Sequence, residues 1–208
     1  MEGLAGTYKS CFKNTDIGFV IDSSNSTTTQ EYQHQKEIVQ RLSSYYDVSK
    51  QDNRVGVVVY SDKAFTIIGL NSYKDSSIIR RAVGALPRLG GGNRKDKALV
   101  TARRMFKARR PSSQSGSAQA SQVLVFFAEG PQSGVASDRL SLEHAVHPLR
   151  KHGVRVIVLG IGRQVVYQEL RSIAQDPHDI YLTSSLNDVD KVTRDLLKII
   201  CKVGLVFI

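Results

Sequence analysis

Short apolar runs alternate along the chain with stretches of helical period. Ile17-Gly18-Phe19-Val20-Ile21 and Val55-Gly56-Val57-Val58-Val59-Tyr60 are almost continuously apolar, the pattern of strands covered on both faces. Ala64 to Ile68 follows the second run after only Ser61-Asp62-Lys63, a spacing that predicts a hairpin and hence one antiparallel strand. Val123 to Phe127, Val154 to Leu159 and the shorter Ile180-Tyr181-Leu182 complete the predicted strands.

Between these runs the period changes to that of a helix. From about Gln30 to Tyr46, the side chains of Tyr32, Ile38, Val39, Leu42 and Tyr46 share one face. A short helix is predicted over 75–86, and another from about Asp96 to Arg109. In the latter, Ala98, Leu99, Ala102, Met105 and Phe106 cluster opposite Lys97, Arg103, Arg104, Lys107 and Arg110. Further helices are expected around 140–151, 166–174 and 187–201. Residues 111–121, rich in Ser, Gln, Gly and Ala, have no period and are expected to form a mobile surface loop.

Strands alternating with helices at this spacing predict a doubly wound α/β domain. Its sheet should have six mainly parallel strands, one antiparallel edge strand and helices on both faces. In such sheets ligands bind at the carboxyl ends of the strands, where the strand order reverses. Three polar loops should meet there: Asp22 to Ser26, Gly90 to Asn93, and Glu129-Gly130.

The length of 208 residues suits one domain, expected over 11–203 with a short extension (1–10) and tail (204–208). The start lacks the apolar stretch of a signal peptide and the end is uncapped and apolar, so a fragment of a longer protein is expected. No apolar run approaches the roughly 20 residues of a membrane span, so no membrane insertion is expected. Charge changes the picture more. The net charge of +10 is carried by the segment from Lys74 to Arg110, where twelve basic residues meet only Asp75 and Asp96. A patch of Arg80, Arg81, Arg103, Arg104, Lys107, Arg109 and Arg110 would suit a heparin-like glycosaminoglycan, or nucleic acid if the protein were intracellular. The bland reading is a solvated helix face.

Cys11 and Cys201 are the two cysteines and bracket the predicted domain. They read either as a disulfide tying its ends or as two separate buried thiols. A disulfide implies an oxidising compartment and hence secretion, which favours glycosaminoglycan over nucleic acid as partner of the basic surface.

Asp22-Ser23-Ser24-Asn25-Ser26 offers a carboxylate and two hydroxyls just after a buried strand. These are hard oxygen donors, suited to Mg²⁺ or Mn²⁺ rather than to zinc or copper. The alternative role is an N-cap for the following helix. Asn25-Ser26-Thr27 is also an N-glycosylation sequon, and a glycan on Asn25 would crowd any ligand docking there.

Together these segments resemble the von Willebrand factor type A domain, the fold shared with integrin I domains. The resemblance covers about residues 11–203. Asp16 to Ser26 resembles the family's opening strand and metal loop, and Arg54 to Ser61 its second strand. Leu89-Gly90-Gly91-Gly92 with Ala98-Leu99 resembles its third loop and helix. Val158 to Gly162 and Leu170 to Tyr181 resemble its closing section. The terminal cysteines are similar to those of matrilin-like, collagen VI-like and von Willebrand factor A domains, which implies that Cys11 pairs with Cys201.

The resemblance implies a secreted matrix or adhesion module that binds extracellular protein, collagen among the candidates, through a metal-ion-dependent adhesion site. Asp22, Ser24 and Ser26 match its first three ligands. Asn93 stands where the family usually has Thr, and Glu129 where it usually has Asp. Both retain an oxygen, but Mg²⁺ demands near-octahedral geometry, so the substitutions bear on whether it binds. A metal-independent module engaging partners through the basic face of residues 80–110 is the alternative.

Other classes fit less well. Gly160-Ile161-Gly162 follows a strand, but Val165 occupies the third glycine position of the dinucleotide fingerprint. No Gly-x-Ser-x-Gly turn announces a hydrolase, and an enzyme is not expected. His144 and His147, three apart on one helix, read as surface histidines rather than metal ligands.

Overall fold

The computed structural model of the protein describes residues 14–46, 48, 53–108, 120–134, 136–138 and 140–201. Among the described residues, six strands form one sheet: β1 (Thr15–Asp22), β2 (Arg54–Tyr60), β3 (Ala64–Ile68), β4 (Ser121–Glu129), β5 (Val154–Ile161) and β6 (Ile180–Thr183). Their order across the sheet is β3-β2-β1-β4-β5-β6, and only β3 runs antiparallel. It pairs with β2 through the expected three-residue turn. The predicted fold class is therefore observed.

The helices are α1 (Thr29–Tyr45), α2 (Ser76–Gly84), α3 (Lys95–Phe106), α4 (Leu142–Lys151), α5 (Tyr167–Ile173) and α6 (Val189–Cys201). Local chemistry sets several of their starts. Thr28 caps α1 in a reciprocal capping box with Glu31, Asp75 caps α2 and Ser141 caps α4. Helix α3 ends at Phe106, three residues earlier than its period predicts. The predicted loop over 111–121 falls largely outside the described residues.

The continuous apolar runs are explained by two cores, one on each side of the sheet. Ile17, Phe19 and Ile21 of β1 and Val125 and Phe127 of β4 point to the layer of α1, α2 and α6. Val20 of β1 and Leu124 and Phe126 of β4 point to the layer of α3, α4 and α5. Alternate residues of one strand thus serve opposite cores, so the middle of each inner strand is apolar on both faces and polar residues such as Asp16 and Asp22 stand at its ends.

Gly18 and Gly56 interrupt these runs for a reason of packing. They are direct neighbours across β1 and β2, and α3 crosses the sheet over them. A Cβ at Gly18 would lie 2.7 Å from Met105 Cε and 2.9 Å from the Phe106 ring. Missing side chains here let the helix approach closely. Gly18→Val is expected to cost about 1–3 kcal/mol through overpacking. Met105→Ala in the same chain should recover part of it in urea denaturation. No recovery would place the strain elsewhere.

The strand order reverses between β1 and β4, so their carboxyl ends open the crevice where this fold binds ligands.

Candidate functional site

β1 delivers Asp22 to this crevice, fully buried. Its Oδ1 accepts from the Ser24 N–H at 2.9 Å. Its Oδ2 accepts from the Tyr60 hydroxyl at 2.9 Å and from the Glu129 N–H at 3.3 Å. The Asp22 N–H itself donates to Gln35 Oε1 of α1. Groups from β2 and β4 thus fix the carboxylate, and α1 holds the backbone that carries it.

The five residues singled out as metal ligands are linked in a closed ring. Asp22 holds the Ser24 amide, and Ser24 Oγ accepts from the Ser26 N–H at 3.2 Å. Ser26 Oγ accepts from Asn93 Nδ2 at 3.2 Å, Asn93 Nδ2 also donates to the Glu129 carbonyl, and the Glu129 N–H returns to Asp22. The first and third loops are stitched together around the ring. Asn25 N–H donates to the Gly91 carbonyl, Gly90 N–H to the Ser23 carbonyl, and Leu89 N–H to Ser23 Oγ.

The electrostatics are those of buried carboxylates. Burial raises the Asp22 pKa despite hydrogen bonds from Ser24 and Tyr60 and the nearby Lys95 charge. Burial also pushes the Glu129 carboxyl up to about 8, with the charges of Glu31 and Asp22 adding to the effect. Lys95 is the counter-charge. Fully buried, it donates to the Gly130 carbonyl at 2.6 Å and to Glu169 Oε2 at 3.1 Å.

This donor set fits a small hard cation. Asn93 Oδ1 and Glu129 Oε2 are buried and make no well-formed hydrogen bond among the described residues, although the Thr27 hydroxyl and Glu31 lie close to the Glu129 carboxyl; such oxygens are costly unless something else satisfies them. No group of three His, Cys, Asp or Glu side chains among the described residues makes a metal site by itself. A cation would therefore rest on two carboxylates, two hydroxyls and an amide oxygen. The Asn93 N–H contact to Ser26 Oγ would have to yield to it.

The family model of the von Willebrand factor type A domain matches residues 16–195. The chain belongs to that family. It is 24% identical to matrilin-2 of Mus musculus over 92% of this chain and 20% of the relative. It is 29% identical to the collagen alpha-4(VI) chain of Mus musculus over 89% of this chain and 8% of that one. It therefore spans only a small part of these relatives. Among solved structures, proximal thread matrix protein 1 from the mussel byssus superimposes with a TM-score of 0.77 at 22% identity, covering 92% of this chain and 48% of that one. Another structure of that protein, with a zinc-occupied MIDAS motif, gives a TM-score of 0.76 at 25% identity over 92% and 46%.

Several parts of this von Willebrand factor type A domain escape a sequence reading. Tyr60 and Gln35 orient Asp22, yet lie 38 and 13 residues from it in sequence. Strand register was the available signal for Tyr60, because it pairs with Asp22 across β1 and β2. Gly160 and Gly162, weighed above as a nucleotide motif, have local uses. A Cβ at Gly160 would strike Leu170 and Leu182, while Gly162 takes a φ of +80° beside Glu129. His144 and His147 are exposed, as expected.

The basic segment needs correction. It does not form one face, because α2 belongs to one layer and α3 to the other. Arg80 and Arg81 are thus separated by the sheet from Arg103, Arg104 and Lys107. Nor do all the charges face water. Arg94 is buried against Asp96 and Asp138, and Lys95 against Glu169. Arg109 and Arg110 lie outside the described residues. So does Cys11, while Cys201 at the end of α6 is not a free thiol.

Proposed function

We propose that this domain is an extracellular matrix module that binds another matrix protein, with collagen as the candidate partner. Docking occurs on the face formed by the loops Asp22 to Ser26, Gly90 to Asn93 and Glu129-Gly130. Mg²⁺ or Mn²⁺ is held there by Asp22, Ser24, Ser26 and Glu129, with Asn93 as the fifth oxygen donor. The observation that carries this reading is the closed ring of hydrogen bonds through these five residues, two of which, Asn93 and Glu129, carry buried oxygens without a well-formed hydrogen bond. Kinship with matrilins and collagen VI, and a solved neighbour whose MIDAS motif holds zinc, support it.

When bound, the cation supplies positive charge and an open coordination position for a partner's carboxylate. The chain's own residues do the rest. Tyr60 and Gln35 keep Asp22 in one orientation, and the Ser23–Gly90 and Asn25–Gly91 bonds hold the loops at a fixed spacing. It is a binding module and not an enzyme: Ser24 Oγ and Ser26 Oγ meet amides rather than a general base. Secretion is the setting required, and the proposed Cys11–Cys201 disulfide belongs to it. A sulfated polysaccharide would be left with the outer side of α3, where Arg104 and Lys107 are exposed.

Saturating Mn²⁺ or Mg²⁺ is expected to stabilise the domain by about 3 kcal/mol at a hundredfold excess over Kd. Differential scanning fluorimetry against EDTA reads this as a rise of roughly 6–12 °C. Asp22→Ala should abolish the rise. An unchanged melting curve in the parent chain, or a rise that survives Asp22→Ala, would sink the metal site.

A further inference from the structure

We propose that Asn25 is an N-glycosylation acceptor whose glycan, once attached, closes the docking face to macromolecules while leaving it open to ions, so that the docking proposed above belongs to chains that escape the modification. Its consequence for binding rests on the reading of that face given above; the modification itself does not. Asn25-Ser26-Thr27 is the one Asn-x-Ser/Thr sequon in the chain, with no proline at the middle position. It occupies the metal loop, between the candidate ligands Ser24 and Ser26.

The geometry makes this sequon more than a string match. Asn25 lies in a turn closed by the Thr27 N–H on the Ser24 carbonyl at 3.3 Å, and its own N–H donates to Gly91 across the crevice. Turns at exposed loop tips are where acceptor asparagines are presented. The main chain is thus held down while the side chain is exposed at the rim. Its neighbours Ser23, Ser24 and Thr27 are all fully buried. Ser26 is half-buried, and Asn25 alone among residues 22–27 is exposed. A glycan there must stand over the crevice.

The same burial fixes when the sugar is added. The Thr27 hydroxyl, which the transferase must recognise, is inaccessible once the domain has folded. Transfer therefore precedes closure of the loop, during entry into the secretory pathway. The Asn25 amide nitrogen attacks the anomeric carbon of a lipid-pyrophosphate-linked oligosaccharide. A C–N bond forms, the carbon–oxygen bond to pyrophosphate breaks, the lipid pyrophosphate leaves with the electron pair, and the amide proton passes to the transferase's base. The attached glycan is large and strongly hydrated. It excludes a protein surface from the ring of Asp22, Ser24 and Ser26 but not a hydrated ion.

The test uses the chain secreted from a eukaryotic host. Treatment with peptide N-glycosidase should lower its mass and leave aspartate at position 25, and both Asn25→Gln and the near-isosteric Thr27→Val should be secreted without the sugar. Screening is read with Leu89→Cys, since Leu89 is 45% exposed beside the same crevice. A polymer-linked maleimide should label this cysteine about tenfold more slowly in the glycosylated chain than after deglycosylation, whereas N-ethylmaleimide should label both alike. Unmodified Asn25 in the secreted chain, or equal polymer labelling with and without sugar, would overturn the proposal. A Mn²⁺-induced thermal shift is expected in both forms. Its absence from both would sink the metal reading of the face and leave the glycan to be judged on mass and labelling.

Discussion

Asp16→Ala is expected to destabilise the domain by about 3–5 kcal/mol, the cost of leaving a buried charge without its partner. For a domain of this size that corresponds to a fall of roughly 10 °C in melting temperature. Asp16 and Arg54 form a two-pronged pair at the amino ends of β1 and β2. Arg54 Nε donates to Asp16 Oδ1 at 2.8 Å and Nη2 to Oδ2 at 2.6 Å, with side chains 4% and 1% exposed. Arg54 Nη1 also reaches Asn71 and the Ala108 carbonyl, so the guanidinium is too well tethered to swing into water. Removal of the carboxylate strands it. The double change Asp16→Leu with Arg54→Met removes both charges and should recover most of the loss, because a buried pair exchanged for apolar groups is often neutral. Urea denaturation of the parent, the single variants Asp16→Leu and Arg54→Met, and the double variant gives the coupling directly. A single-variant cost below about 1 kcal/mol would mean that water reaches the pair. The site lies at the other end of the strands, so the cation-induced shift of the Asp16→Ala chain should match that of the parent.

What the sequence made legible, and what it hid, follows the range of each interaction. The strands were readable because both faces of the sheet are covered, so each became a continuous apolar run such as Val123 to Phe127. Asp22, Ser24 and Ser26 were readable because one turn of chain carries them all. Asn93 and Glu129 were placed only by counting from neighbouring motifs. The structure links them to the other three through Ser26 and Asp22. Tyr60, Gln35 and Glu169 were not readable, because each meets the site only through strand register or helix packing. The basic segment shows the same limit from another side. A helical wheel identifies the polar side of α3, but not which layer receives the helix, and so the sequence groups Arg80 with Arg104 while the sheet keeps them apart. Charge counting also assumes that every lysine faces water. Lys95 does not.

Lys95→Met is expected to have two opposite effects, which together show what a buried ammonium does beside a cation site. Lys95 sits at the start of α3, two residues after Asn93, fully buried. It ties the loop after β4 to α5 through the Gly130 carbonyl and Glu169, and Glu169 in turn accepts from the Gln132 N–H. Burial lowers the Lys95 pKa, while the charges of Glu169 and Asp22 oppose that shift. Methionine fills similar space but supplies neither the charge nor the donors. In EDTA the variant should therefore lose about 3 kcal/mol, because Glu169 and the Gly130 carbonyl lose their partner. With Mn²⁺ the balance should reverse. The ammonium already neutralises part of the charge around Asp22, so it competes with an incoming ion, and its removal should tighten Mn²⁺ binding by about tenfold, or 1.4 kcal/mol. Isothermal titration with Mn²⁺ beside chemical denaturation in EDTA separates the two effects. A destabilised variant with unchanged affinity would reduce Lys95 to a structural strut. A destabilised variant that no longer binds would instead make it the residue that positions Glu129. Tighter binding in a weaker fold is the expected result, and it would show this domain balancing its buried carboxylates with an internal cation.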